Sequence, residues 1–287
     1  MAGLLFVVAT PLGNLEDLSP RAVATLRDVD CVVCEDTRRT AKLLAHHGIR
    51  TPTRSCHKFN EREQRKPLLA RMAAGQDLAL VSDGGTPGIS DPGPLLVRAA
   101  VEAGFEVRPI PGPSAAAALL SISGLPADRY VFEGFLPHRA GERRRRLREL
   151  AGERRPVVAF ESPHRIAETL ADVEQLLGTR PLVLGRELTK LHETVLFGHA
   201  REIRERLGDP VRGEITLVIS GADAKREVAS GDDADNVVGC WRKALEEHAG
   251  DRRAALRAAS SELGLKRAEL FRLLAELGEE PDRPRGR

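Results

Sequence analysis

The sequence predicts an α/β protein with two consecutive α/β halves and a small all-helical extension. Short apolar runs alternate with amphipathic stretches over the first 221 residues, which is typical of strands and helices in a layered fold. Turns rich in glycine and proline follow several apolar runs, and the strand pattern stops beyond residue 235. We therefore expect residues 1–124 and 125–221 to form the two halves, 222–235 a linker, and 236–287 a helix-turn-helix-like segment.

Repeated strand–helix units in the first half predict a mostly parallel sheet covered by helices. Ser19 before Pro20 is typical of a helix cap followed by proline at the first helical position. Asn60 with Glu63 resembles a capping box, and Pro67 is expected to kink or split the helix that follows. The predicted strands are residues 4–9, 29–34, 78–81 and 106–110, and the predicted helices are 20–27, 37–47, 94–103 and 114–121.

After a hinge at Gly124, the alternation of strands and helices resumes. The predicted strands are residues 130–132, 157–160, 182–184 and 214–219, and the predicted helices are 142–150, 163–177 and 200–207. Residues 222–235 are polar and without period, as in a linker. Residues 236–277 are expected to be helical throughout, with a bend at Gly264, as either a helix-turn-helix or a hairpin that packs on the body.

Composition favours a cytoplasmic globular protein. The 44 Lys and Arg residues nearly balance 42 Asp and Glu residues, so global charge favours no particular partner, and one Trp and one Tyr leave little material for an aromatic platform. Cys31 and Cys34 have no second pair at zinc spacing, so we expect reduced, buried strand cysteines on opposite faces and no metal. Neither a signal peptide nor a run of ~20 apolar residues is recognised, so no membrane association is expected.

Four predicted strand ends carry unusual loops, and open α/β sheets bind ligands at strand ends. One of them, in LVSDGGTPGISDPG at 80–93, matches neither common nucleotide-binding glycine motif. Glycines admit a ligand close to the backbone and prolines stiffen the loop, while a lysine-bearing phosphate cradle is missing, which argues against ATP or GTP. We expect a small ligand with an adenosine, carboxylate or amine end. The loops are residues 10–14, 34–38, 82–93 and 111–115.

Eight segments resemble, in order, those of the bacterial small-subunit ribosomal RNA cytidine 2′-O-methyltransferases, which have the tetrapyrrole-methylase-like fold. They span roughly residues 4–221 and read ATPLGNLEDLSPRA, CEDTRRT, HKFNERE, LVSDGGTPGISDPG, PIPGPSAA, GLPADRYVFEGFLP, FESPHRI and GRELTKLHE. The resemblance implies two α/β halves with S-adenosylmethionine in the cleft between them. It also implies methylation of a cytidine ribose, cytidine 1402 by family analogy, in 16S rRNA of the assembled small ribosomal subunit.

The resemblance assigns the methyl donor to loops of both halves. Ser114 also begins a helix, whose free N–H groups suit the donor's carboxylate. For Asp83 the alternative is a turn residue that bonds its own backbone, and Asp91 is interpreted as loop architecture. The implied donor-binding residues are Pro11, Leu12, Asp83, Gly84, Gly85, Thr86, Ile89, Ser114, Ala115, Glu161, Arg186 and Glu187.

Methyl transfer to a ribose hydroxyl requires orientation and removal of the hydroxyl proton. The catalytic candidates are Asp36 and Glu161, and His57 is a third candidate base that we assign instead to RNA contact. Asp36 stands beside Glu35, and two adjacent carboxylates can raise the pKa of one of them. The alternative role of Asp36 is that of an ion-pair partner for a neighbouring arginine.

Phosphate contacts dominate RNA affinity, so the RNA-binding residues are expected to be positive and near the cleft. Residues 138–155 hold eight arginines against three glutamates, as either an RNA-binding face or a solvated helix face with pairs such as Glu142–Arg146. The C-terminal helices are a candidate auxiliary clamp, and a homodimer is expected by analogy with the fold. The expected RNA-binding residues are Arg38, Arg39, His57, Lys58, Asn60, His164, Arg165 and Lys190.

Two other functions compete with RNA methylation. A corrin or porphyrin C-methyltransferase would share the fold and the glycine-rich turn, but would not be expected to carry EDTR, HKFNE or FESPHR. A DNA-binding metabolite sensor would use the C-terminal helix-turn-helix for duplex DNA and the α/β body for its effector.

Overall fold

The computed structural model describes residues 2–208, 210–222, 231–263, 265, 267–277 and 279. Contacts divide the chain into two compact units, one ending at Gly221 and one beginning at Ala222. The larger unit holds two five-stranded sheets with helices, and the smaller one is helical, so the predicted fold class is confirmed. Within the described residues, no helix is both long enough and apolar enough to cross a bilayer.

Ten elements build the first half of the larger unit. They are β1 (Leu5–Val8), α1 (Pro20–Asp28), β2 (Cys31–Cys34), α2 (Thr37–His46), β3 (Thr53–Ser55), α3 (Glu61–Ala73), β4 (Leu78–Leu80), α4 (Pro94–Glu102), β5 (Val107–Ile110) and α5 (Ala115–Ile122). The strands pair in the order β3-β2-β4-β1-β5, and every pairing is parallel. Their carboxyl ends therefore share one edge, where the connecting loops meet. The short strand β3 was not predicted.

The first sheet is buried on both faces. In β2, Cys31 and Val33 pack in one core while Val32 and Cys34 pack in the other, as the period of two requires. Burial raises the pKa of both thiols, and both cysteines are free. The prediction that these cysteines serve packing on opposite faces is confirmed.

Helix α3 runs unbroken through Pro67, so the expected split was wrong, while the expected kink stays a prediction. Burial of Leu68 and Met72 contributes about 1.5–3 kcal/mol each, which offsets the ~3 kcal/mol that an internal proline costs. Asn60 precedes the helix, but its side chain makes no cap bond. Its Oδ1 accepts the N–H of His57 at 2.7 Å instead, so the capping-box expectation was also wrong.

The second half of the larger unit forms a mixed sheet. Its elements are β6 (Val131–Phe135), α6 (Ala140–Glu149), β7 (Val157–Glu161), α7 (Ile166–Leu177), β8 (Leu182–Arg186), β9 (Thr194–Gly198), α8 (Ala200–Arg206) and β10 (Ile215–Ile219). The order is β6-β7-β10-β8-β9, with β6 and β7 parallel and the other pairings antiparallel. Strand β9 was missed, and α7 begins at Ile166 rather than at Pro163, because residues 163–165 form a turn.

The arginine-rich segment around α6 is engaged in internal ion pairs. Arg143 is 1% exposed and donates to Asp172 at 2.7 Å. The anticipated pairing of Glu142 with Arg146 was wrong, because Glu142 pairs with Arg139 instead. The arginines of this segment that form ion pairs are Arg139, Arg143, Arg144, Arg146 and Arg155. Arg139, Arg144 and Arg155 nevertheless have side chains that are 85%, 49% and 50% exposed, so an RNA-binding face on this segment stays a prediction.

Helix α5 follows the first sheet in sequence but packs on the second. One core is shared by Ala116, Leu119 and Leu120 of this helix and by Val158, Val183 and Val218 of the second sheet. The two halves of the larger unit are therefore bridged by α5, directly behind the cleft that its first residues line.

The smaller unit is a three-helix arrangement with its own core. Its helices are α9 (Gly231–Glu247), α10 (Arg252–Glu262) and α11 (Arg267–Glu276). Trp241 is 1% exposed and packs in a cluster with Leu256 and Leu270. This cluster contains no residue of the larger unit.

Two details of the helical extension differ from the prediction. Helix was expected throughout residues 236–277, but it is interrupted at 248–251, where Gly250 adopts a φ of 84°. The first helix also begins at Gly231, inside the predicted linker, because helical backbone extends beyond the apolar periodicity on which the prediction relied. The bend at Gly264 and linker residues 223–230 lie outside the described residues.

The carboxylate of Glu61 fixes the end of the glycine-rich loop after β4. Glu61 is 5% exposed. Its Oε1 accepts the backbone N–H groups of Gly93, Leu95 and Leu96 at 3.0, 2.9 and 3.2 Å. These groups begin α4, where the positive end of the helix dipole favours a carboxylate. Gly93 has a φ of 134°, and a Cβ there would lie 2.8 Å from Leu80 Cδ2, so glycine is required.

Glu61→Ala is expected to lower the free energy of unfolding by about 2–4 kcal/mol, because three buried N–H groups lose a charged acceptor. Glu63→Ala is the matched control, since Glu63 is exposed in the same first turn of α3 and its loss should cost less than about 1 kcal/mol. Urea unfolding of both variants measures the difference. Equal losses in the two variants would contradict the role of Glu61.

Candidate functional site

The loops at the edge of the first sheet and part of the second sheet enclose a cavity of about 370 Å³, which we call the cleft cavity. It is lined by Leu12, Asp83, Gly84, Gly85, Thr86, Ile89, Ser90, Asp91, Ser114, Ala115, Phe135, Phe160, Glu161, Ser162, Pro163, Gly213, Glu214, Ile215 and Thr216. Nine of the twelve residues expected to bind the donor are in this lining. The other three, Pro11, Arg186 and Glu187, are not.

Backbone contacts hold the first-half wall of the cleft cavity together. Thr10 and Gly85 exchange two backbone hydrogen bonds of 2.9 Å, and the Oγ1 of Thr86 donates to a carbonyl of the loop after β5 at 3.2 Å. A Cβ on Gly84 would lie 3.3 Å from the carbonyl oxygen of Pro11, and Gly85 has a φ of 89°. These glycines let the loops after β1 and β4 approach closely, so Pro11 supports the wall from behind.

Glu161 forms the buried part of the second-half wall. Its carboxylate accepts the guanidinium of Arg165, the Oγ1 of Thr169 at 2.7 Å and the N–H of Ser162 at 2.6 Å. Its side chain is fully buried, so it orients the wall from within. Arg165, expected to bind RNA, has a side chain only 14% exposed and is directed at Glu161. His164 beside it is exposed.

Arg186, Glu187 and Lys190 support the cleft cavity without lining it. Oε1 of Glu187 accepts the N–H of Glu214 at 2.9 Å and the Nζ of Lys190 at 2.8 Å. Lys190 also pairs with the Glu214 carboxylate, so its charge is neutralised internally. Arg186 donates to the Oγ1 of Thr194 at 3.0 Å. The three residues thus hold the entry to β10, whose first residues face the cavity.

A second cavity of about 430 Å³, the rim cavity, opens beside the first. It is lined by Glu35, Asp36, Thr37, Arg38, Ser55, His57, Lys58, Phe59 and Asp83. Asp83 lines both cavities, so they meet at its carboxylate. Arg39 lies 3.4 Å from that carboxylate. The Oδ1 of Asn60 accepts the backbone N–H of His57, which fixes the His57 backbone at this cavity.

The geometry of Asp36 does not suit a general base. Its carboxylate caps α2 by accepting the N–H of Arg38 at 2.8 Å, and it pairs with the Arg38 guanidinium at 3.0 Å. These hydrogen bonds lower the pKa of Asp36 to about 2, so it holds a proton poorly. Among the two adjacent carboxylates, the raised pKa belongs to Glu35, through burial and then the charge of Asp83.

Asp91, which the sequence pattern assigns to loop architecture, is a half-buried carboxyl in the cleft cavity. Burial raises its pKa to about 6, and the charges of Glu35, Asp83 and Glu214 act in the same direction, against a hydrogen bond from Ser82. A carboxylate with this pKa is ionised at neutral pH yet basic enough to accept a proton. The sequence pattern does not reveal it, because burial, the largest cause, and the charges of Glu35 and Glu214 depend on the folded structure.

The two-sheet unit and its cleft define a class of protein. The family described as Tetrapyrrole (Corrin/Porphyrin) Methylases matches residues 4–204. The solved structure of the methyltransferase CobJ aligns with a TM-score of 0.60 at 18% identity, covering 77% of this chain and 95% of that one. Uroporphyrin-III-C-methyltransferase of Thermus thermophilus aligns with a TM-score of 0.56 at 20% identity, covering 76% and 94%. These likenesses show the fold.

Curated relatives narrow the class. Ribosomal RNA small subunit methyltransferase I of Pseudomonas aeruginosa is 47% identical over 227 residues, which cover 78% of this chain and 80% of that protein. The protein of the same name from Synechocystis is 44% identical over 279 residues, covering 96% and 98%. The chain therefore belongs to the tetrapyrrole methylase family, in the group of ribosomal RNA small subunit methyltransferase I proteins. The resemblance seen in the sequence is confirmed, and the chain is a methyltransferase.

Asp91→Asn is expected to stabilise the folded protein at neutral pH. Folding raises the pKa of Asp91 from the ordinary 3.8 to about 6, so the stabilisation present below about pH 4 is lost as the pH rises through about 6. The amide does not ionise, so the variant should gain about 1–2 kcal/mol over wild type between about pH 4 and pH 8, after allowance for solvent screening. Urea unfolding at both pH values measures this gain. Exposed Asp17→Asn is the control, and a pH-independent difference for Asp91→Asn would contradict the assignment.

Proposed function

We propose that this protein transfers a methyl group from S-adenosylmethionine to the ribose 2′-hydroxyl of a cytidine in 16S rRNA, cytidine 1402 by family analogy, within the small ribosomal subunit. The observation that carries the proposal is the meeting of two cavities at Asp83, one lined by glycines, apolar side chains and carboxyl groups and the other edged by cations. The curated relatives are named as methyltransferases of small-subunit ribosomal RNA. A related uroporphyrin-III C-methyltransferase structure contains S-adenosylhomocysteine.

The lining of the cleft cavity suits a sulfonium donor better than a polyphosphate. Among the described residues that line it, none is Lys or Arg, while Asp83, Asp91, Glu161 and Glu214 carry carboxyl groups. Glu161, Glu214 and Asp83 have cationic partners outside the lining, so Asp91 is the carboxyl group that favours a cationic ligand over a triphosphate. Ser114 makes no side-chain cap at the start of α5, so the first N–H groups of that helix suit the donor's carboxylate. When bound, the donor supplies a methyl group already activated on sulfur.

Asp91 is the general base of the proposed reaction. It takes the proton of the 2′-hydroxyl while the ribose oxygen bonds to the methyl carbon and the carbon–sulfur bond breaks, which leaves a neutral thioether and protonated Asp91. Asp83 is held by the N–H of Asp36 at 3.1 Å and by Arg39, so it orients the junction rather than exchanging a proton. Asp36 and Glu161 are likewise occupied by hydrogen bonds from neighbouring groups, so we assign both to positioning rather than to proton transfer.

The cations that the sequence predicts to bind RNA divide into two groups. Arg38 and Arg39 have side chains 87% and 61% exposed, and Lys58 and His164 are exposed, so these four remain the proposed phosphate contacts. Arg165 and Lys190 are engaged in internal pairs, and we withdraw them from the RNA surface. We retain a cytoplasmic homodimer as the expected form, by analogy with the fold.

The proposed activity is tested by incubating the protein with methyl-labelled S-adenosylmethionine and small subunits from a strain that lacks it. Label is expected in 16S rRNA, and primer extension at limiting nucleotide should stop at one cytidine ribose. Label in rRNA on a base instead of a ribose, or no label at all, would refute the proposal. Heat-treated protein is the control.

The two competing functions are addressed by parallel reactions. Label in uroporphyrinogen III rather than in small subunits would favour a tetrapyrrole methyltransferase, whose named examples are at most 20% identical to this chain among the solved structures described above. Binding of the protein to a specific DNA duplex without methyl transfer would favour a metabolite sensor.

The pH dependence of the rate tests the assignment of Asp91. Wild-type kcat is expected to rise with pH through about 6 and then level, because only ionised Asp91 accepts the proton. Asp91→Asn is expected to lower kcat by about 10²- to 10⁴-fold and to abolish this rise. Asp36→Asn removes the ion pair that caps α2, and this variant should keep the rise of kcat with pH. If Asp36→Asn abolished the rise and Asp91→Asn kept it, the two assignments would be reversed.

A further inference from the structure

One aromatic ring stands at the rim cavity without apolar cover. Phe59 is 82% exposed, although single exposed apolar side chains are common and need no explanation in themselves. The position of this ring is what distinguishes it, because the remaining lining of the rim cavity is polar or charged. Its face is therefore open to a planar ligand inside a polar cavity.

The ring of Phe59 is held on a rigid base. The backbone N–H of Asn60 and that of Glu61 both donate to the carbonyl of His57, at 3.0 and 2.9 Å, which closes a tight turn around Phe59. The His57 ring lies edge-on at 6.1 Å from it. The Nζ of Lys58 lies over the ring at 4.9 Å from its centroid. A cation on one face leaves the opposite face for a second planar group.

Asp83 lines both cavities, so the Phe59 ring lies in the cavity next to the proposed site of methyl transfer. A ribose hydroxyl placed between Asp83 and Asp91 would meet the cleft cavity, and the attached base would then extend into the rim cavity. The exposed guanidinium of Arg38 edges that cavity, where a phosphate of the same nucleotide would lie. Sequence-specific recognition of RNA mostly targets single-stranded nucleotides, whose unstacked bases stack on aromatic side chains.

We propose that the rim cavity is the subsite for the acceptor nucleotide, and that Phe59 stacks on the base of the nucleotide whose ribose is methylated. This inference rests on the proposed function and names the substrate contact that the function requires. The low aromatic content of the chain is consistent with it, because one extruded base needs only one ring.

The test compares Phe59→Ala, Phe59→Leu and Phe59→Tyr in methyl transfer to small subunits. Loss of one base–aromatic stack is worth about 1–3 kcal/mol, so kcat/KM for small subunits should fall about 5- to 100-fold in Phe59→Ala. Tyrosine keeps the ring and should stay within about threefold of wild type, whereas leucine keeps only apolar bulk and should fall like alanine. Phe197→Ala removes a half-exposed phenylalanine of β9, outside both cavities, and is the matched control expected to match wild type.

The affinity of each variant for S-adenosylhomocysteine, measured by calorimetry, should equal that of wild type if the cleft cavity is intact. Wild-type values of kcat/KM in Phe59→Ala would overturn the subsite while leaving the proposed function standing. Full rescue by leucine would also overturn it, because Phe59 would then make an apolar contact with a ribosomal protein. A wild-type protein that transfers no methyl group to small subunits would instead overturn the proposed function, and the subsite with it.

Discussion

The geometry of both cavities depends on one buried acid at the start of α3. Through its side chain, Glu61 anchors the first turn of α4 and so the far end of the glycine-rich loop that lines the cleft cavity. Through its backbone N–H, the same residue closes the turn that carries Phe59 at the rim cavity. A single residue thus contacts a loop of each cavity. Its charge is stabilised by the helix dipole of α4, which makes this contact stronger than a neutral cap.

The carboxyl groups near the junction illustrate how environment divides roles among chemically similar side chains. Glu161 is saturated by three donors, and Asp36 is saturated by its own helix and Arg38. Asp91 faces three other carboxylates with little compensation, so it alone among these acids combines a place in the cleft cavity with a strongly raised pKa. Buried carboxyl groups with a raised pKa are concentrated at functional sites, which supports the proposed role of Asp91.

Much of the fold could be predicted from local pattern, and the failures have physical causes. Parallel strands such as β2 are continuous apolar runs, and Ser19-Pro20 is a local cap signal that the structure confirms through the bond from the Ala22 N–H. The short strand β3 reads TRS and has no apolar run, and the apolar run of the antiparallel strand β9 is only three residues long, so neither gave a clear strand signal. Helix α3 continues through Pro67 because core packing offsets the cost of the proline, and rules based on local sequence do not include that packing.

Site residues that belong to a glycine-rich motif could be predicted from the sequence, whereas roles that depend on burial and tertiary contacts could not. The glycine-rich turn at Gly84 and Gly85 lines the cleft cavity, as the sequence suggests. Arg165 and Lys190 were expected to bind RNA, yet they form ion pairs with Glu161 and Glu187. Both partners lie within four residues of their cations, at the i,i+4 and i,i+3 spacings typical of ion pairs, so this signal was present in the sequence. The sequence does not show that the Arg165 side chain is only 14% exposed, which depends on the packing of the second sheet.

The packing of α5 on the second sheet has a consequence for biosynthesis. Both cores of the first sheet are built from residues 5–110, so they can close as soon as this part of the nascent chain leaves the ribosome. The apolar face of α5 must wait for Val218, about 100 residues later, and translation at about 5–20 residues per second makes that interval roughly 5–20 s. Val158 follows Leu119 by about 40 residues and Val183 by about 65, so the apolar face of α5 is covered in stages and is complete only with Val218. The half-made protein is therefore most vulnerable to aggregation after its first sheet has folded, and least able to tolerate a pause in translation there.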